Sequence, residues 1–310
     1  MGKKTGLITL LFLFFFLNGF SQPVADFTAD VTEGCESIIV NFTDLSTGAT
    51  TWHWNFGNGN SSSSQNPTAI YNNGGSTDLV FDVTLIVSNG SISDTLVMED
   101  FITVFALPTA YFQATTDTAG CTPLVVSFQD QSTPAESPIV TWEWTLGTGA
   151  TSSVQHPTQT YVTPGYYTVL LKVTDDNGCI SNYSINNYIY VSDIPEAGFT
   201  VNSTADCSAP LTVEFMDTSH TGTGQQIDYL WYFGDGDTSA LQNPQHTYQN
   251  NGTYDVALVV SNEFGCTDSV MFEEYIQIVP INVSFSPSVN PGCPYIPVTF
   301  TVTTTNATEF

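Results

Sequence analysis

The chain has 310 residues, 30 of them acidic and three basic, for a formal charge of −27. Nucleic acid and anionic membrane surfaces are both bound through Lys or Arg against phosphate, and beyond residue 21 the sequence contains one basic side chain, Lys172. That balance excludes both as expected partners, whereas the six cysteines point to disulfides in an oxidising compartment.

Residues 1–21 read as a signal peptide. Lys3 and Lys4 form a charged start, Leu7 to Leu17 an apolar run, and Gly19-Phe20-Ser21 a small-x-small cleavage site before Gln22. The apolar run is too short for a bilayer, which takes ~20 residues. The first cysteine after the cleavage site is Cys35, so a lipid anchor at that site is not expected. No later segment is long and apolar enough to insert once the signal is removed.

Beyond the signal the sequence repeats itself. Cys35, Cys121, Cys207 and Cys293 are each 86 residues apart, and Pro23, Pro108, Pro195 and Pro280 fall at 85, 87 and 85. Such a period, with turn signals every 8–12 residues, suits tandem sandwich domains better than a solenoid of ~20–50-residue units. The expected domains are 22–107, 108–194 and 195–281, with 282–310 as the start of a fourth. In that last piece a strand through Ile296, Val298 and Phe300 is expected. Two strands cannot close a core, so the sequence is expected to continue beyond Phe310 in a longer protein.

Within the second repeat, taken as the example, a strand is expected at Tyr111-Phe112 and another on the alternation Leu124/Val126/Phe128. A third lies on Val140/Trp142/Trp144/Leu146, then short strand or coil to Tyr161. A long strand from Tyr166 to Thr174, a turn at Asp175-Asp176-Asn177-Gly178 and a last strand ending at Tyr188 to Val191 complete the unit. No stretch shows a 3.6-residue apolar period, so the fold class is all-β.

One stretch is written three times: Trp54-Asn55-Phe56-Gly57-Asn58-Gly59, Trp144-Thr145-Leu146-Gly147-Thr148-Gly149 and Trp231-Tyr232-Phe233-Gly234-Asp235-Gly236. Each copy is succeeded by Gln-(Asn/His)-Pro and a tyrosine (Tyr71, Tyr161, Tyr248), then by a long alternating strand such as Tyr254/Val256/Leu258/Val260. This order resembles the PKD domain, an immunoglobulin-like β-sandwich, across three domains joined as beads on a string. The resemblance implies that Trp54, Trp144 and Trp231 are buried core tryptophans, with Trp52 and Trp142 at the core or its edge. Tyr167 and Tyr254 are expected as tyrosine corners, a role closed to Phe81. The first repeat, with ten residues from Tyr71 to Phe81, is expected to be the least regular.

The resemblance also bears on the cysteines. Cys179 and Cys266 fall in the turn between the last two strands, where the first repeat is read as having Ser91. Pairing within each domain would join Cys121 to Cys179 and Cys207 to Cys266. In immunoglobulin-like topology those positions lie at opposite ends of the sandwich, ~20 Å apart at ~3.3 Å per residue, against less than ~7 Å between Cα atoms in a disulfide. Offset pairing, Cys35 with Cys179 and Cys121 with Cys266, is the preferred expectation. Such inter-domain bonds would stiffen the array into a rod, leaving Cys207 and Cys293 to pair with turn cysteines further on. Intra-domain pairing stays open as the alternative.

Candidate chemistry is sparse. Asp235 and Asp237, or Asp175 and Asp176, could be offered to calcium, but Asp-Gly and Asn-Gly are ordinary turns and neither stretch matches a twelve-residue calcium loop. No cofactor is expected. His53, His156, His220 and His246 form no pair at metal-ligand spacing, and His156 stands where other repeats have Asn. No catalytic motif is visible, so no enzyme activity is expected within residues 22–310. The resemblance implies a non-catalytic, exported or cell-surface protein: the N-terminal part of an adhesin-like stalk, contacting protein or glycan or acting as a spacer. The alternative is an accessory region of a secreted polysaccharide- or protein-degrading enzyme. The signal ending in Ser-Gln before cysteine-bearing repeats is similar to Bacteroidetes surface proteins associated with gliding motility and type IX secretion.

Overall fold

The computed structural model describes residues 22–221 and 227–280, and the backbone of 282–287 and 300–305. The signal segment, Ile296, Val298 and Cys293 lie outside the described residues. The first repeat contributes eight strands: β1 (Phe27–Ala29), β2 (Glu33–Cys35), β3 (Ser37–Asp44), β4 (Thr51–Asn55), β5 (Ser61–Ser62), β6 (Thr68–Asn72), β7 (Leu79–Ser88) and β8 (Ser93–Phe105). The same eight recur in the second as β9 (Phe112–Ala114), β10 (Ala119–Cys121), β11 (Leu124–Asp130), β12 (Ile139–Thr145), β13 (Thr151–Ser152), β14 (Thr158–Tyr161), β15 (Gly165–Asp175) and β16 (Ile180–Ser192). The third holds β17 (Phe199–Val201), β18 (Ala205–Asp206), β19 (Leu211–Asp217), β20 (Ile227–Tyr232), β21 (Thr238–Ser239), β22 (Gln245–Tyr248), β23 (Gly252–Asn262) and β24 (Thr267–Ile278). A hairpin of β25 (Asn282–Pro287) and β26 (Phe300–Thr305) comes after it in the chain. Among the described residues every regular element is a strand.

Each repeat sorts its strands into a three-stranded sheet, β1-β3-β6 in the first, and a five-stranded one, β2-β8-β7-β4-β5. Pairing is antiparallel except where β2, β10 and β18 lie parallel to β8, β16 and β24. That short parallel strand, absent from the sequence-based expectation, ends at or next to the first cysteine of each repeat.

Strand alternation turns one face of each sheet inward. Trp54, Trp144 and Trp231 are all but fully buried. Each meets the edge of a phenylalanine from the first strand, with Phe27–Trp54, Phe112–Trp144 and Phe199–Trp231 centroids 5.0, 5.1 and 5.1 Å apart. Along β12 the expected alternation is graded. Trp144 and Leu146 are buried and Trp142 half-buried, but Val140, second residue of the strand, is 46% exposed. Tyr167 and Tyr254 are half-buried rather than core, and their hydroxyls donate to the backbone carbonyls of Thr163 and Asn250. The fully buried tyrosines are Tyr71, Tyr161 and Tyr248. Tyr161 and Tyr248 donate to the carbonyls of Leu146 and Phe233 at 3.0 Å, while the Tyr71 hydroxyl has no partner. In the first repeat Asn73, buried, takes over closure of the longer loop by donating to the carbonyls of Thr77 and Val104 at 2.8 Å.

The two glycines of each repeated turn are not equivalent. Gly57, Gly147 and Gly234 have φ of +74°, +85° and +87°, and a Cβ there would lie 2.4 to 2.8 Å from the carbonyl oxygens of Asp82, Thr168 and Asp255. The second glycines, such as Gly59, need only the left-handed backbone, since nothing lies near. Residues 82, 168 and 255 have a second role: their side chains accept the N–H of Asp100, Asn187 and Glu274, each held at left-handed φ in the last strand.

The Gln-(Asn/His)-Pro motif fastens the two sheets' connection in all three repeats. The glutamines Gln65, Gln155 and Gln242 donate to Asp44, Asp130 and Asp217 at 2.9 to 3.0 Å. The next residue accepts the backbone N–H of that same aspartate, through Oδ1 of Asn66 and Asn243 and through Nδ1 of His156. The proline carbonyl accepts the N–H of Phe42, Phe128 or Phe215 at 2.9 Å. His156 is therefore an acceptor standing in for an amide oxygen. Burial pushes the Asp44 and Asp217 carboxyls up, but hydrogen bonds from Ser46, Gln65 and Trp52, and from Gln242, Ser219 and Tyr229, outweigh it and hold both below the usual carboxylate range.

Candidate functional site

Two constellations stand apart from the repeated core. The first is the pair of cysteine-bearing turns. After β15, Asp175 Oδ1 accepts the Cys179 N–H at 2.8 Å, the Asp175 N–H reaches the Cys179 carbonyl at 3.0 Å, and Gly178 at φ +82° closes the turn. After β23, Asn262 makes the same bonds with Cys266, and Gly265 takes the place of Gly178. Both cysteines are buried, and the bonds present are Cys35–Cys179 and Cys121–Cys266, with Cα atoms 5.5 Å apart in each. They join positions 144 and 145 residues apart, each linking the end of a short parallel strand to the turn one repeat ahead. Cys207, at the equivalent place in the third repeat, is an exposed free thiol.

The same hydrogen-bond pattern corrects the reading of Ser91. In the first repeat Asn89 plays the part of Asp175, with its N–H on the Ile92 carbonyl and its Oδ1 accepting the Ile92 N–H. Its turn is one residue shorter, so Ile92 rather than Ser91 occupies the cysteine position.

Contacts gather the chain into two compact units: Met1–Tyr111 with Ser132–Trp142 and Lys172–Asn182, and Phe112–Gln131 with Glu143–Leu171 and Tyr183–Phe310. Each contains one of the disulfides. In the second unit the turn is also held without covalent help: Asn262 Nδ2 donates to Ser192 Oγ at 2.8 Å and to the Asp193 carbonyl at 3.0 Å, and Phe264 packs on Tyr190, centroids 4.9 Å apart. Ser192 and Asn262 are both buried. In the first unit the residue at the Asn262 position is Asp175, whose Oδ2 is buried with no hydrogen-bond partner.

The second constellation is Asp235, Asp237 and His246, whose ligand-capable atoms lie within 4.8 Å of one another. Asp235 and Asp237 flank Gly236 in the turn after β20; His246 lies on β22 and its Nε2 meets Asp235 Oδ2 at 2.7 Å. The imidazole stacks on Phe233 at 4.2 Å, with Tyr248 edge-on at 4.7 Å. Sequence reading named the two aspartates but missed the histidine, although it stands two residues before the motif tyrosine, on the strand facing the turn. Asp175 and Asp176 do not belong to this group.

Eight strands in a three- and a five-stranded sheet, a buried tryptophan on the fourth, and three successive copies define a tandem immunoglobulin-like sandwich protein. The chain belongs to the PKD domain family, whose model matches residues 20–104, 106–191 and 192–276. It is similar to collagenase ColQ1 of Bacillus cereus, 47% identical over 49 residues that are 16% of this chain and 5% of that protein. It is also similar to the pre-pro-metalloprotease PrtV of Vibrio cholerae, 32% identical over 147 residues, 47% of this chain and 16% of that protein. The matches thus span a small part of these relatives. Among solved structures, the PKD1 domain of PrtV is 33% identical and covers 27% of this chain and 96% of its own, with a TM-score of 0.24. Among the described residues no helix is long and apolar enough to cross a membrane.

Proposed function

We propose that this chain is the repeat region of an exported, adhesin-like surface protein, in which the PKD sandwiches act as a non-catalytic spacer and loops make protein or glycan contacts. The observation that carries the reading is the offset disulfide. Each bond spends both cysteines on holding one sandwich to the next, a use suited to transmitting position or load along a chain in an oxidising compartment. An extracellular setting also fits the acidic, lysine-poor composition.

A second reading has its own support: the regions of similarity lie in collagenases and a metalloprotease, so the same repeats would serve as the spacer of a degrading enzyme whose catalytic domain is elsewhere on the polypeptide. Recovering the native polypeptide and assaying it for gelatin and casein hydrolysis separates the two. The surface-spacer reading expects no hydrolysis and retention of the polypeptide at the cell envelope. Protease activity travelling with the same polypeptide would overturn it in favour of the second.

A further inference from the structure

We propose that Asp235, Asp237 and His246 form a three-ligand site for a divalent transition metal of the zinc class, one nitrogen and two carboxylate oxygens with open coordination positions facing solvent. The donor set is mixed rather than acidic alone. An imidazole with carboxylates suits zinc and its neighbours in the first transition row, whereas calcium takes six to eight oxygens.

The histidine is placed for this. Its ring is clamped between Phe233, parallel at 2°, and Tyr248, at 86°, so Nε2 is held toward the carboxylates instead of sampling rotamers. Asp235 is oriented too, since its Oδ1 accepts the Asp237 N–H at 3.1 Å and leaves Oδ2 toward the ring. Asp237 is exposed and free to swing in. Lys172 is the one basic side chain of the described residues, and the surrounding negative field favours a cation.

The third repeat is alone in this. At the positions of Asp235, Asp237 and His246 the first repeat has Asn58, Asn60 and Ala69, and the second has Thr148, Ala150 and Gln159. Metal entry replaces the Asp235–His246 hydrogen bond: the imidazole binds as its neutral Nδ1–H tautomer, the Nε2 proton being exchanged through solvent, and Nε2 and Oδ2 become ligands.

The test is calorimetric titration of zinc chloride into the protein with Cys207 alkylated, since that exposed thiol is itself a zinc ligand. One zinc per chain is expected, with Asp237→Asn weakening binding about tenfold or more and an equal concentration of calcium chloride failing to compete. Asp237 makes no side-chain contact on which the turn depends, so the metal-free variant should unfold at the same midpoint. A second readout avoids mutation: cobalt(II) should broaden and shift the His246 ring resonances before those of His53, His156 and His220. Lack of saturable binding, unchanged affinity in Asp237→Asn, effective competition by calcium, or another histidine responding first would each overturn the proposal.

Discussion

The turns ending in Cys179 and Cys266 have the same backbone bonds and the same 5.5 Å Cα separation across their disulfides, yet the residue that organises them differs by one atom. Asn262 offers an amide that donates to Ser192 and Asp193 of the preceding repeat, and Asp175 offers a carboxylate oxygen that finds no donor. The register explains why no hydroxyl meets it: Cys121 pairs with Ser192, whereas Cys35 pairs with Phe105, so the first junction has a phenyl where the second has a serine. At the Cys266 turn the covalent bond is joined by buried hydrogen bonding and an aromatic contact, whereas at the Cys179 turn the corresponding carboxylate oxygen has no donor.

The largest effect should come from removing the bonds. Cys35→Ser and Cys121→Ser each free a loop of more than 140 residues, and the loop-entropy estimate is about 4 to 5 kcal/mol. Hydrogen exchange should then separate the two: turn amides around Cys179 lose protection in Cys35→Ser, while those around Cys266 keep most of theirs in Cys121→Ser. Equal loss would remove the distinction. Asn262→Ala should cost about 1 to 3 kcal/mol by chemical denaturation, since it strips donors from a buried network, and should abolish the residual protection of the Cys266 turn. Asp175→Asn should do the reverse, adding about 1 kcal/mol by removing an unpaired buried carboxylate oxygen and presenting a donor toward Ala106, at the Asp193 position. A loss of stability there would mean that Oδ2 has a partner in solution.

Acid should act on the aspartates that the motif glutamines reach inside the first and third sandwiches. Asp44 and Asp217 have folded values below the unfolded one near 3.8, so their contribution is complete above that value and is lost as pH falls through the lower folded values. Unfolding midpoints followed below pH 4 should decline less in Asp44→Asn and Asp217→Asn than in the parent. The smallest effect belongs to His156→Asn, within about 0.5 kcal/mol, because Asn66 and Asn243 already accept the same N–H from that position. His156→Ala, leaving the Asp130 N–H without its acceptor, should cost more.

Much of this was legible in the sequence because it is local. Alternation along Val83/Leu85/Val87 or Val126/Phe128 reports the buried face directly, and the tryptophan and glycines recur at fixed spacing. Contributions that depend on distant partners were not. The glutamine of the Gln-(Asn/His)-Pro motif acts on an aspartate 21 to 25 residues upstream. The difference between Gly57 and Gly59 depends on a strand arriving from residue 82. Placing Ser91 opposite the cysteines failed because counting along the chain cannot reveal a turn one residue shorter. His246 was passed over because only the sandwich brings β22 to the turn after β20.

The offset of the disulfides bears on how such a gene can change. Because Cys35 and Cys121 are each matched to the turn of the following repeat, excision of the whole second repeat from the reading frame would leave Cys35 facing Cys266, two compatible halves. Losing or gaining a complete copy therefore preserves pairing, and unequal crossing-over between copies can alter their number without a compensating mutation. A break inside a copy strands a thiol.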